Sequence, residues 1–119
     1  MGKHNEFGRK GEQIAVDFLK EKRYKILQRN YRYLKAEIDI IAEKDGIVSI
    51  VEVKSRTEGF LETISETINQ KKINLIVMAA NQYVIDNNLD VEIRFDFILV
   101  LKKGATFEIE HTKNAFYYF

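Results

Sequence analysis

The sequence predicts an α/β domain, a central mixed β-sheet flanked by helices in the order αβββαββ. Three observations predict it. Residues 8–22 and 62–87 carry apolar side chains at the spacing of amphipathic helices. Between them, Asp45-Gly46 joins two alternating apolar runs, the signal of a two-residue hairpin. After the second helix, Phe97-Ile98-Leu99-Val100-Leu101 is apolar at every position, as in a strand covered on both faces. With 119 residues, 45% of them apolar, the chain suits one core and one domain, 1–119.

In the first helix, Phe7, Gly11, Ile14, Ala15, Phe18 and Leu19 fall on one side. Gly8 and Gly11 are poor helix formers, so their place beside this stripe predicts close approach to another element. Residues 24–33 contain a strand of mixed Arg and Tyr character. The hairpin takes 36–54, and 55–60 reads as a loop. In the second helix the buried stripe is Ile68, Leu75, Ile76, Ala79, Ala80 and Tyr83, with Asn87-Asn88 as the stop. A strand follows over 91–101, then the turn Lys102-Lys103-Gly104-Ala105 and a short edge strand, 106–110. The aromatic tail, 111–119, is expected to fold back onto the body.

The hairpin holds the chemistry. With Asp45-Gly46 as the turn, Lys44 faces Ile47, Asp39 faces Glu52, and Glu37 faces Lys54. Strict alternation then puts Glu37, Asp39, Glu52 and Lys54 on one face with Ile41, Val48 and Ile50. Ile38, Ile40, Val51 and Val53 fill the other face. Opposed residues have Cβ atoms about 4.5–5.5 Å apart, and like charges at that distance destabilise a sheet. A raised carboxyl pKa or a divalent cation between the acids offsets the repulsion. The competing reading is a solvated hairpin face, but apolar residues on both faces argue for burial, and buried carboxylates need partners.

There is no cysteine, which excludes disulfides, thiolate metal sites and cysteine nucleophiles. No apolar stretch approaches the roughly 20 residues of a membrane span. Met1-Gly2-Lys3-His4-Asn5-Glu6 lacks the apolar centre of a signal peptide, so a cytoplasmic location is expected. The net charge of +1 is unevenly spread: 1–35 carry +6 and the remainder −5. A basic region beside an acidic, metal-competent site suits a phosphodiester substrate. By itself the asymmetry is equally that of an ordinary solvated helix face.

Glu12 lies at the edge of the first helical stripe, as an acid aimed into a site or one favoured by the helix dipole. Lys72 is in line with the second stripe, either snorkelling to water or reaching towards a phosphate over the hairpin. Arg56 follows Lys54 by two residues, as a phosphate contact or a solvated loop residue. Arg29, Tyr31, Arg32 and Tyr33 interleave cations with aromatics, which suits nucleic acid or a plain sheet edge. His4 and His111 show no ligand spacing, and Asp96 is expected to pair with Arg94 or cap a backbone group. No phosphate-binding glycine loop or nucleophile-elbow pattern is present.

An ordered set runs through the chain: Gly11-Glu12, Arg29-Asn30-Tyr31-Arg32, Glu37-Ile38-Asp39-Ile40-Ile41-Ala42, Val51-Glu52-Val53-Lys54-Ser55-Arg56, Lys72, Ala80-x-x-Tyr83 and Arg94-Phe95-Asp96. This set resembles the YraN-like family of uncharacterised bacterial proteins. That family in turn resembles the restriction-endonuclease-like superfamily with its PD-(D/E)XK motif, which includes archaeal Holliday-junction resolvases. The resemblance implies a restriction-endonuclease-like core. It also implies Asp39 and Glu52 as motif acids, Lys54 as the motif lysine, Glu12 as the acid of the first helix and Lys72 as the helix cation. Ile38 stands where proline precedes the first motif acid, and Ala36 where the family usually has glycine.

These readings converge on a metal-dependent nuclease acting on DNA, including branched or otherwise structured DNA. Asp39, Glu52 and Glu12 would hold Mg2+ or Mn2+, and Lys54 would act in catalysis. Lys72, Arg56, Arg32 and Arg29 would contact nucleic acid. A non-catalytic nucleic-acid-binding module on the same fold is the alternative, and a protein-interaction domain using the aromatic tail is a third. No membrane partner is expected, and homodimerisation is left open.

Overall fold

Local chemistry fixes the frame of the sheet. In the computed structural model, which describes residues 3–59 and 68–116, helix α1 spans Lys3–Glu21. Strands β1 (Lys25–Tyr33), β2 (Ala36–Lys44) and β3 (Ile47–Thr57) follow. Asp45 and Gly46 both take positive φ, 53° and 78°, as a two-residue hairpin turn with the twist of its strands requires. This turn sets the register predicted from the sequence, from Lys44 opposite Ile47 to Ile40 opposite Val51.

Helix α2 spans Gln70–Asp86, capped by the Asn69 side chain, which accepts from the Lys72 N–H, and closed at Asn87. The predicted helix start at residue 62 lies outside the described residues. Ile68 is buried but precedes the cap, and Ile73 joins Ile76, Ala79, Ala80 and Tyr83 in the buried stripe. Strands β4 (Glu92–Lys103) and β5 (Thr106–Thr112) complete a five-stranded sheet in the order β1-β2-β3-β4-β5. The mixed α/β order αβββαββ is therefore the observed one. Every neighbouring pair is antiparallel except β3 and β4, which are parallel and so need the crossover that carries α2. The parallel pairing also corrects the expected loop. Ser55, Arg56 and Thr57 continue β3, held against Val100, Leu101 and Lys102.

Each face of the sheet carries one helix. Ala15, Val16 and Leu19 of α1 pack on Ile40, Ala42, Val51, Val53, Ile98 and Val100. The stripe of α2 packs on Ala36, Ile38, Ile41, Val48, Ile50, Phe95 and Phe97. Phe116 folds back onto Phe95 with ring centroids 5.4 Å apart, and Tyr117-Tyr118-Phe119 lie outside the described residues. Among the described residues no helix is long and apolar enough to cross a membrane.

Gly11 marks where α1 meets the sheet. A Cβ there would overlap Ser55 Oγ on β3, whereas one at Gly8 would meet nothing within 4 Å. The expected close approach therefore belongs to Gly11 alone. Ser55 Oγ is buried without a hydrogen-bond partner among the described residues. Gly11→Ala is expected to destabilise the protein by about 1–3 kcal/mol through overpacking. Ser55→Ala in the same chain is expected to restore part of it, since it removes the overlapping atom and a hydroxyl that satisfies nothing. Thermal unfolding of the two single variants and the double variant checks this.

Candidate metal and phosphodiester site

The site forms where β2 and β3 part. Their ladder ends at Ile40 opposite Val51, so the rungs expected between Asp39 and Glu52 and between Glu37 and Lys54 are not made. The Asp39 carboxylate fills the gap instead. Its Oδ2 accepts the Val53 N–H at 2.8 Å, taking the part of a ladder carbonyl. Val53 continues into the parallel pairing with Ile98, so its N–H is held in place by β4.

The alternation assumed from the sequence also breaks here. Ala36 and Ile38 lie on the α2 side, but Ile40 and Ala42 lie on the α1 side. Ile38 and Ile40 therefore do not share a face. The partner strand turns over at the same rung. Arg29, opposite Ile40, donates to Gln13 of α1, while Tyr31, opposite Ile38, stacks edge-on with Tyr83 of α2. Between them Asn30 has a φ of 52°.

The two acids nevertheless meet: the Asp39 carboxyl lies close enough to that of Glu52 to share a hydrogen bond when one of them carries a proton. Glu52 is only 4% exposed. Burial first, then the hydrogen bond and the charge of Glu52, push the Asp39 carboxyl up to about 9, although the Val53 N–H pulls the other way. The raised carboxyl favours a proton held within the pair. Lys72 Nζ lies 2.5 Å from Glu52 Oε2, and Lys54 Nζ lies 3.9 Å from the same oxygen. Burial and the adjacent Lys72 hold the Lys54 ammonium below the usual lysine range. Burial also acts against the Lys72 charge, but Glu52 outweighs it and holds Lys72 above that range.

A cavity of about 400 Å³ opens over these groups, lined by Lys35, Glu37, Asp39, Glu52, Lys71 and Lys72 among others. Glu12 lines an adjoining cleft with Val53, Lys54, Ser55 and Arg56. Its carboxyl is raised, by burial first and then by Glu37 and Glu52, against the pull of Arg29. Asp39 in turn feels the Glu12 charge. Among the described residues no three Asp, Glu or His side chains stand close enough together to hold one ion. Two neighbouring carboxyls, the buried Glu52 and the half-buried Asp39, remain the hard-oxygen pair beside the cavity. That pair fits a cation such as Mg2+, which takes one or two carboxylates and keeps several waters.

The remaining cations divide. Arg56 Nη1 donates to the Ser55 carbonyl and lines the Glu12 cleft. Arg32 is exposed and paired with Glu37 at 2.8 Å, and Arg29 holds Gln13. Lys10, Lys22 and Lys44 sit over the rings of Phe107, Phe18 and Tyr24. Much of the basic excess therefore has local partners, and Tyr31 serves packing against α2.

A second buried network lies on the α1 face. Asp96, with no exposed surface, takes two hydrogen bonds from Arg94, at 2.8 and 2.9 Å, and the Asn114 N–H at 3.3 Å. Both expected partners, Arg94 and a backbone group, are present. His111 Nε2, 2.8 Å from Asp96, was not expected. No sequence spacing points to it, because it arrives diagonally across the β4–β5 ladder.

Residues 11–100 match the uncharacterised protein family UPF0102. The chain is 49% identical to a UPF0102 protein of Flavobacterium psychrophilum, over the full length of both chains. It is 45% identical over the full length of both to one from Christiangramia forsetii. It is 40% identical to one from Parabacteroides distasonis, over 98% of this chain and 97% of the other. The chain belongs to the UPF0102 family, the YraN-like group that its ordered motifs resemble.

Proposed function

We propose that this protein is a divalent-metal-dependent nuclease that hydrolyses phosphodiester bonds in DNA, branched or otherwise structured DNA included, in the cytoplasm. One observation carries the reading: the half-buried Asp39 and the buried Glu52 meet at a break in the ladder, with Lys54 and Lys72 on the Glu52 carboxylate. A solvated hairpin face would leave these groups apart and in water. Acid, acid and lysine in this order also match the PD-(D/E)XK pattern of the restriction-endonuclease-like superfamily, whose core has helices on a mixed sheet.

In this reading Asp39 and Glu52 hold Mg2+ or Mn2+, and Glu12 acts from the adjoining cleft. The ion supplies a bound water of lowered pKa and polarises the phosphate. Lys54 orients that water and offsets developing charge. Lys35, Lys71 and Lys72 on the cavity wall give the phosphate backbone a basic approach. Incubation of the purified protein with linear, nicked, flap and four-way DNA, in Mg2+, Mn2+ or EDTA, tests it. Cleavage that needs the ion and falls away in EDTA is expected. The Lys72–Glu52 ion pair favours a second reading, a nucleic-acid-binding module without chemistry. Salt-dependent DNA binding with no cleavage in either ion would select it.

A further inference from the structure

Asp39 reaches the β3 backbone because two strands turn over together, and the residue that permits the turn is on neither acidic strand. Residues two apart in a regular strand share a face. Arg29 and Tyr31 do not, nor do their partners Ile40 and Ile38. The one residue between each pair, Asn30 on β1 and Asp39 on β2, takes up the half-turn. Asn30 does so with a φ of 52°, a left-handed conformation that bulky and β-branched residues resist and that Gly, Asn and Asp tolerate. Its side chain is exposed, so the backbone, and not a packed contact, is what the position uses.

We infer that Asn30 is a positioning residue for the acidic site: its left-handed backbone turns β1 and β2 over at one rung and so delivers the Asp39 carboxylate to the Val53 N–H beside Glu52. A regular strand at this rung would return Asp39 to strict alternation and reclose the ladder. The Val53 N–H would then lose the carboxylate. The inference rests on the metal-dependent reading above only for its effect on metal affinity.

The test compares Asn30→Gly, Asn30→Ala and Asn30→Val in the full chain. Three quantities are read: thermal unfolding, the Val53 amide proton shift by NMR, and the affinity for Mn2+ alone by calorimetry. Asn30→Gly is expected to keep the wild-type Val53 shift and bind Mn2+ within about threefold of wild type. Asn30→Val is expected to move that amide upfield and weaken Mn2+ by at least about tenfold, the effect of losing a group that orients a ligand. Asn30→Ala is expected to fall between them and serves if the valine variant does not fold. A wild-type Val53 shift in both Asn30→Ala and Asn30→Val overturns the inference. So does an Asn30→Gly variant as impaired as either of them. The amide measurement needs no metal. A wild-type chain that fails to bind Mn2+ therefore counts against the nuclease reading, while the shifts still decide the role of Asn30.

Discussion

Asp39→Asn is expected to abolish ion-dependent DNA cleavage, by at least about 100-fold, and at the same time to make the protein more stable. The first effect follows from the loss of one of two carboxylates beside the cavity. The second follows from proton linkage. The Asp39 carboxyl titrates at about 9 in the folded protein and has an ordinary value of 3.8. Between those values the unfolded chain gives up a proton that the folded chain keeps. Stability therefore falls as pH rises from about 4 to about 9. Asparagine carries no such proton, and its side-chain oxygen can still accept the Val53 N–H. A gain of about 5 °C in unfolding temperature is expected at mildly alkaline pH in EDTA, shrinking to nothing near the ordinary carboxylate value. Glu52→Gln is expected to lose cleavage equally but to gain less stability, since Lys72 and Lys54 lose their charge partner. Cleavage by either variant at the wild-type rate would remove the acids from the mechanism. A melting temperature of Asp39→Asn that runs parallel to wild type across pH would remove the buried proton.

The largest loss of stability is expected from Asp96→Ala, far from the acidic pair. Arg94 gives Asp96 two hydrogen bonds and also donates to Tyr24 and Ser49, each at 3.0 Å. Removing the carboxylate leaves a mostly buried guanidinium without its counter-charge and His111 without its acceptor. Breaking one side of a buried pair costs about 3–5 kcal/mol. Unfolding by urea at neutral pH measures it, and a loss under about 1 kcal/mol would show that water replaces the carboxylate. The pH dependence has the opposite sign to that of Asp39. Burial disfavours the Asp96 charge, but hydrogen bonds from His111 and Arg94 more than offset it and hold the carboxyl below its ordinary 3.8. The stabilisation is complete above that value and is lost as pH falls below it. Asp96→Asn is expected to flatten this acid limb.

What could be read along the chain was what neighbouring residues settle between themselves. Asp45 and Gly46 fix a turn, the turn fixes the register as far as Ile40, and the register brings Asp39 near Glu52. Gly11 announced a close approach, and the apolar run after Phe97 announced a strand covered on both sides. Lys72 was legible as an in-line helix position, but its choice of Glu52 over water depended on where α2 lands. The extension of β3 through Thr57 was not legible. Ser55-Arg56-Thr57 is polar, and only parallel pairing with a strand some forty-five positions later makes it regular.

Sequence alone determined the order of helices and strands, the hairpin and the identity of the acids, because periodicity and turn chemistry act over a few residues. Tertiary structure alone decided how those acids are held. The rung at Asn30 and Asp39 turns over, so that α1 and α2 take apolar residues two apart on one strand, Ile40 and Ile38, on opposite faces. The Val53 N–H is free to take a carboxylate because β2 leaves the ladder while β4 keeps β3 straight. His111 reaches Asp96 only through strand neighbours. Each of these depends on packing between segments remote in the chain, which no local pattern encodes.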